Sequence, residues 1–137
     1  MPTTDKKNFC LCCSGFTYTA CCQPFHDGQL PENALKLMRS RFTAYALNLP
    51  EYIMETTHPE SPQFSRNRAS WRRSISQFST ASTFARLKII AFEEHKHSAT
   101  VTFTAYIYQG TNDCTFTEKS FFQTINCKWL YYHGEIL

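Results

Sequence analysis

Thr100-Val101-Thr102-Phe103-Thr104-Ala105-Tyr106-Ile107 alternates polar and apolar side chains without a break. A period of two puts Val101, Phe103, Ala105 and Ile107 on one face of a strand and the threonines and Tyr106 on the other, so the strand is half buried. The same period runs from residue 83 onward and marks four strands, over about 84–94, 99–109, 114–125 and 129–136. Turn signals at His95–Ser98, Gly110–Asp113 and Asn126–Lys128 separate them. Connections this short join antiparallel neighbours, which predicts a meander.

Upstream the period becomes helical. Ala34, Leu35, Met38, Phe42, Tyr45, Ala46 and Leu49 recur at spacings of three and four after Pro31, predicting a helix with one apolar stripe. Arg39 and Arg41 flank that stripe on opposite sides, and Ser40 is expected to point away from it. A second, short helix is predicted after Asn48, a good capping residue, and must stop before His58-Pro59 because proline disfavours a helical predecessor. Trp71, Ile75 and Phe78 predict a third, surrounded by Arg66, Arg68, Arg72 and Arg73. Three helices followed by four strands make an α+β layout, with the helices covering one face of a curled antiparallel sheet.

The chain has 137 residues, 42% hydrophobic and 15% aromatic, which supplies one real core and excludes a disordered chain. No stretch reaches the roughly 18–20 apolar residues of a membrane span. Met1–Lys7 has no apolar run behind its lysines, so no signal peptide is expected and the cytoplasm is the expected location. The net charge of +3 falls short of the dense positive stripe of nucleic-acid-binding domains. The four arginines around the third helix are read as a solvated face, the alternative being an acidic partner, protein or RNA.

Five of the seven cysteines fall within residues 10–22, while Cys114 and Cys127 stand alone and read as incidental thiols. A secreted disulfide framework spreads an even number of cysteines through the fold; crowding points to metal. Cys10, Cys12, Cys21 and Cys22 form C-x-C-x8-C-C, and Ser14-Gly15 permits the tight turn that faces one pair to the other. Four thiolates satisfy tetrahedral zinc. Free thiols or disulfides are the alternatives. His26 is close enough in sequence to touch the knuckle, or is a plain loop histidine.

Cys10, Cys12, Ser14, Gly15, Tyr18, Cys21 and Cys22 occupy the positions of the SEC-C motif, C-P-C-G-S-G-x2-Y-x2-C-[CH], which this run resembles. The resemblance implies zinc binding and a docking role, since SEC-C motifs serve as docking modules at the end of the SecA motor. Leu11 stands where proline is usual and Cys13 where glycine is usual, so Cys13 could compete as a ligand. Pro24–Gly28, Ala34–Tyr45, Thr57–Pro59, Glu118–Phe122 and Trp129–Gly134 look like the bacterial YchJ family. That resemblance implies a SEC-C knuckle, residues 1–28, on a domain similar to nuclear transport factor 2 (NTF2), residues 29–137, in which helices and a curled sheet enclose a cone-shaped pocket. It implies a fold and a metal but no reaction.

In such a cone Arg39, Arg41, Tyr45, His58, Glu118, Ser120 and Tyr131 are the polar residues expected to reach the pocket. Glu118 shares a strand face with Phe116, Ser120 and Phe122. A buried carboxyl group can serve as a general base, or can pair with an arginine and brace helix against sheet; the pair Arg41–Glu118 is the expectation. His58 is expected to hydrogen-bond backbone at a helix end. With four glycines in all, a phosphate-cradling loop is excluded. These readings make a zinc-binding adaptor, its knuckle docking a protein and its cone holding a small molecule. The alternatives are an enzyme running proton-transfer, hydration or isomerisation chemistry in the cone, and an RNA- or ribosome-associated protein.

Overall fold

A computed structural model describes residues 9–137. The first described segment is the cysteine knuckle: a single-residue bridge pairs Phe9 with Thr17, a short 3-10 turn covers Tyr18–Ala20, and helix α1 covers Gln23–His26. Helix α2 (Ala34–Ala46) begins where the Asn33 side chain accepts from the Lys36 amide at 2.8 Å, meeting one of the unpaired donors of a helix start. Helix α3 (Pro50–Glu55) starts on a proline, whose fixed φ suits a first helical turn. Asn48, expected to cap it, instead takes a left-handed φ of 59° and turns the chain between the two helices. Asparagine tolerates that region because its short polar side chain bonds locally. Helix α4 (Arg68–Ala81) is capped by Asn67.

Strands β1 (Thr83–Glu94), β2 (Ser98–Gln109), β4 (Phe116–Ile125) and β5 (Lys128–Ile136) pair antiparallel in the order β1-β2-β4-β5, and the two-residue β3 (Asn112–Asp113) pairs with β2. This is the expected meander. Irregularities at Phe84/Arg86 and Ile89/Ala91 in β1 and at Phe121/Phe122 in β4 bend and twist the strands, which curls the sheet. The β4–β5 turn places Asn126 and Cys127 both at positive φ, the backbone twist that matches two-residue hairpins.

The inner sheet face carries Ala99, Val101, Phe103, Ala105 and Ile107 from β2, all buried, as their alternation requires. Leu37, Met38 and Phe42 of α2 pack on them, and Cys10, Cys12 and Cys22 belong to the same buried cluster. Ala44, Ile53, Met54, Trp71 and Ile75 form a second cluster among the three longer helices. Ser40 does not point away: it is fully buried, donating to the Leu37 carbonyl at 2.8 Å and lying 2.6 Å from the Tyr52 hydroxyl. Among the described residues no helix is long and apolar enough to cross a membrane.

Candidate metal centre and cone cavity

The sulfurs of Cys10, Cys12, Cys21 and Cys22 all lie within 4.8 Å of one another, with Cys12–Cys21 at 3.6 Å and Cys21–Cys22 at 3.8 Å. A tetrahedral thiolate site with bonds of about 2.3 Å puts its sulfurs about 3.8 Å apart. The residues therefore fit a metal ion. Two local features bring the pairs together. The Cys10 amide donates to the Phe16 carbonyl at 2.9 Å and the Cys13 amide to the Cys10 carbonyl at 3.1 Å, closing a turn in which Cys13 and Gly15 both take positive φ, 65° and 91°. Helix α1 then begins at the second pair.

Cys13 is no competitor for the ion. Its side chain is exposed and its sulfur lies 3.6 Å from the Leu11 carbonyl, turned away from the cluster. Glycine is usual at this motif position because the backbone is left-handed there.

Cys10, Cys12 and Cys22 do not share charge evenly. Hydrogen bonding with Cys12, then with Cys22, holds the Cys10 thiol far below its ordinary range, while sharing with Cys10 pushes Cys22 far up and Cys12 up to about 11. Close thiolates in a buried site repel one another, so full ionisation requires a cation. Arg39 supplies a positive charge at the edge, with Nη1 3.9 Å from the Cys12 sulfur.

Arg39 therefore belongs to the knuckle and not to the cone, where it was expected. It donates to the Cys12 carbonyl at 2.8 Å, tying the first cysteine pair to α2. His26 does the same from the other side. Its Nε2 donates to the Ser40 carbonyl at 2.8 Å, which leaves Nδ1 to accept from the Tyr18 hydroxyl at 2.6 Å. Cys10 also touches Thr43 of α2, sulfur to Oγ1, at 3.6 Å. With its four clustered sulfurs turned toward one another, the knuckle leaves Phe9, Leu11 and Phe16 exposed, Phe16 to 65%.

The cone holds a cavity of about 210 Å³. Arg41, Tyr45, Glu118, Ser120 and Tyr131 line it, together with Gln63 and an apolar wall that includes Phe42, Phe78, Phe103 and Phe116. His58 lies outside. Its amide donates to the Tyr131 carbonyl at 2.8 Å, its Nδ1 accepts from the Glu60 amide, and its ring rests against Tyr132. That backbone role is the one its place before Pro59 suggested.

The expected Arg41–Glu118 ion pair is not formed. Ion pairs among the described residues join Glu32 to Lys36 and Glu51 to Arg68 and Arg72. Arg41 is drawn to the helix side: Nη1 donates to the Ile53 carbonyl and to the Thr56 and Thr57 hydroxyls at 3.1, 2.7 and 3.2 Å. The threonine hydroxyls in turn donate to carbonyls at the end of α3, Thr57 to Ile53 and Thr56 to Tyr52, both at 2.7 Å, so Arg41 joins a closed local network. Glu118 is held on the sheet by two hydroxyls, accepting from Ser120 and, at 3.3 Å, from Tyr131. Tyr131 separates the two charges. Its ring sits 4.7 Å under the Arg41 guanidinium carbon and its hydroxyl also accepts from Gln63 at 3.3 Å.

Burial pushes the phenols here up. Tyr131 rises through desolvation and then the Glu118 charge, Tyr45 through desolvation, and Tyr52 to about 12 through desolvation. Of these, Tyr131 donates to Glu118 at the cavity and stays protonated there. Gln63 escaped the sequence reading because it lies in the irregular Ser61–Asn67 connection, where no period announces a face. The Thr56 and Thr57 shell around Arg41 escaped it because those roles depend on where α3 ends.

The chain's likeness to known proteins covers both halves of this arrangement. The family profile "YchJ, middle NTF2-like domain" matches residues 33–134. A UPF0225 protein of Corynebacterium glutamicum is 33% identical over 131 residues, 93% of this chain and 96% of that protein. One of Pectobacterium carotovorum is 35% identical over 133 residues, 91% of this chain and 81% of that protein. The solution structure of a SEC-C motif containing protein from Rhodopseudomonas palustris superposes with a TM-score of 0.80 at 31% identity, covering 93% of this chain and 98% of that one. A SEC-C motif containing protein from Psychrobacter arcticus superposes with a TM-score of 0.71 at 29% identity, covering 90% and 72%. With a cysteine knuckle seated on an NTF2-like cone, this chain belongs to the YchJ family.

Proposed function

We infer that the protein is a zinc-binding adaptor: four thiolates hold one zinc ion as a structural centre, the knuckle docks a protein, and the cone takes a small molecule. Zinc suits an all-sulfur tetrahedral set, and four protein ligands leave no open position for chemistry. The observation that carries the docking role is the outward display of Phe9, Leu11 and Phe16 on a segment whose four clustered sulfurs turn toward one another. Exposed aromatic residues on a rigid, metal-braced turn can bind without first paying to become ordered. The partner is read as a protein because Glu51 neutralises Arg68 and Arg72, two of the four clustered arginines. A reducing compartment such as the cytoplasm keeps the thiols available as ligands.

The test uses the whole protein and a Phe9→Ser/Phe16→Ser variant as parallel baits, after showing that both carry equal zinc. A protein held by the first, lost from the second and then bound directly in purified form supports docking. Identical captures by both baits overturn it.

A further inference from the structure

The cone cavity carries two opposed recognition groups. Arg41 is only 4% exposed, yet its hydrogen bonds among the described residues all leave from Nη1. Nε and Nη2 donate to none of them. Ser79 Oγ is the buried side-chain polar atom left without a partner among the described residues, so the free Arg41 donors are not sealed in protein but face the cavity that Arg41 lines. On the other wall the hydroxyls of Ser120 and Tyr131 both reach one oxygen of Glu118, Oε2, leaving Oε1 available. Phe42, Tyr45, Phe78 and Phe103 supply apolar wall beside these groups.

We propose that the cone binds a small, uncharged, ring-bearing carboxamide or lactam, its carbonyl accepting from Arg41, its N–H donating to Glu118, and its ring against the phenylalanines. This rests on the reading of the cone as a ligand site. An isolated carboxylate meets Arg41 but is repelled by Glu118, and an isolated ammonium meets Glu118 but is repelled by Arg41. A group that is both acceptor and donor satisfies both edges with no net charge brought into a buried site. Two unlike polar edges in an otherwise aromatic cavity are the usual means of fixing a ligand's orientation. A volume of about 210 Å³ admits one ring-sized molecule and excludes a peptide.

The probes are benzamide, benzoate and benzylamine, equal in ring and different in polar group, titrated into the full-length, metal-loaded protein and followed by NMR. Benzamide is expected to bind about tenfold or more tighter than either ion, shifting resonances of Tyr45, Phe103 and Ser120. Glu118→Gln removes the repulsion of anions and leaves Arg41 unopposed, so benzoate should gain about tenfold and close the gap to benzamide. Should that variant fail to fold, Gly134→Ala, which displaces the Glu118 carboxylate, should narrow the same preference. Benzoate or benzylamine matching benzamide on the wild type, or an unchanged preference in the variants, overturns the amide assignment. Binding of none of the three overturns the cone-ligand reading itself.

Discussion

Gly134 lies directly against the side chain of Glu118: a β-carbon at residue 134 would fall on the carboxylate. The two sit on neighbouring strands, with Gly134 paired to Ser120 and Glu118 paired to Ile136. The carboxylate reaches diagonally across the sheet into the space a side chain would fill, and from there meets Ser120 and Tyr131. Gly134 has an ordinary backbone conformation, so its role is to leave room.

Gly134→Ala should therefore act through Glu118. Displacing the carboxylate breaks its two hydroxyl bonds and should destabilise the fold by about 1–2 kcal/mol in urea denaturation. In a Glu118→Ala background the same change should be nearly neutral, because nothing remains to displace. Additive losses in the double variant would refute the coupling.

Glu118→Gln tests the absence of the ion pair. Breaking a buried pair costs about 3–5 kcal/mol. Here the carboxylate is held by hydroxyls, and glutamine keeps an acceptor for them, so the loss should be no more than about 1 kcal/mol. A loss in the larger range would show that Arg41 and Glu118 act as a pair in solution.

Arg41→Lys should cost more. The lysine side chain ends one bond short of Nη1, the atom that serves Ile53, Thr56 and Thr57, so its ammonium is drawn off those acceptors or strains to reach them. About 2–3 kcal/mol is expected from denaturant unfolding. A variant as stable as wild type would mean that the threonines find other donors.

Purified protein should contain one zinc per chain. Cys21→Ser should lose most of it, while Cys13→Ser and Cys114→Ser should keep it, since Cys13 faces outward and Cys114 lies far down the chain. Stripping the ion with a chelator should lower the melting temperature by more than about 10 °C, because three ligand cysteines lie in the main core. Metal analysis and a thermal scan on the same samples decide this. An unchanged melting point on stripping removes the structural role.

Deleting residues 1–28 asks whether residues 29–137 form an autonomous domain. The deletion takes Cys10, Cys12 and Cys22 out of the main core and removes the knuckle partners of Arg39, the Ser40 carbonyl and Thr43. The shortened chain should keep its strand signal in circular dichroism and melt well below wild type. Melting at the wild-type temperature would make the knuckle an independent appendage.

How far the sequence alone carries can be read from particular residues. Residues 99–107 set the strand, its buried face and, with the short turns after it, the meander, because a period of two survives any tertiary context that buries one face. Cys10, Cys12, Cys21 and Cys22 declared themselves by spacing, since the geometry of a tetrahedral site is local to thirteen residues. Glu118 and Ser120 were placed on one strand face with Phe116 and Phe122 by the same period. What the sequence could not decide was where long, polar side chains go. Arg39 and Arg41 are two residues apart on one helix, yet one reaches the Cys12 carbonyl in the knuckle and the other the carbonyl and hydroxyls at the end of α3, each drawn to acceptors that only the packed fold brings within reach. Glu118 was expected to meet the nearest positive charge; it meets two hydroxyls instead, because Gly134 on the next strand makes room for it there. Periodicity assigns a face, whereas the partner of a flexible charged group is chosen by whichever buried donor or acceptor the assembled fold leaves open.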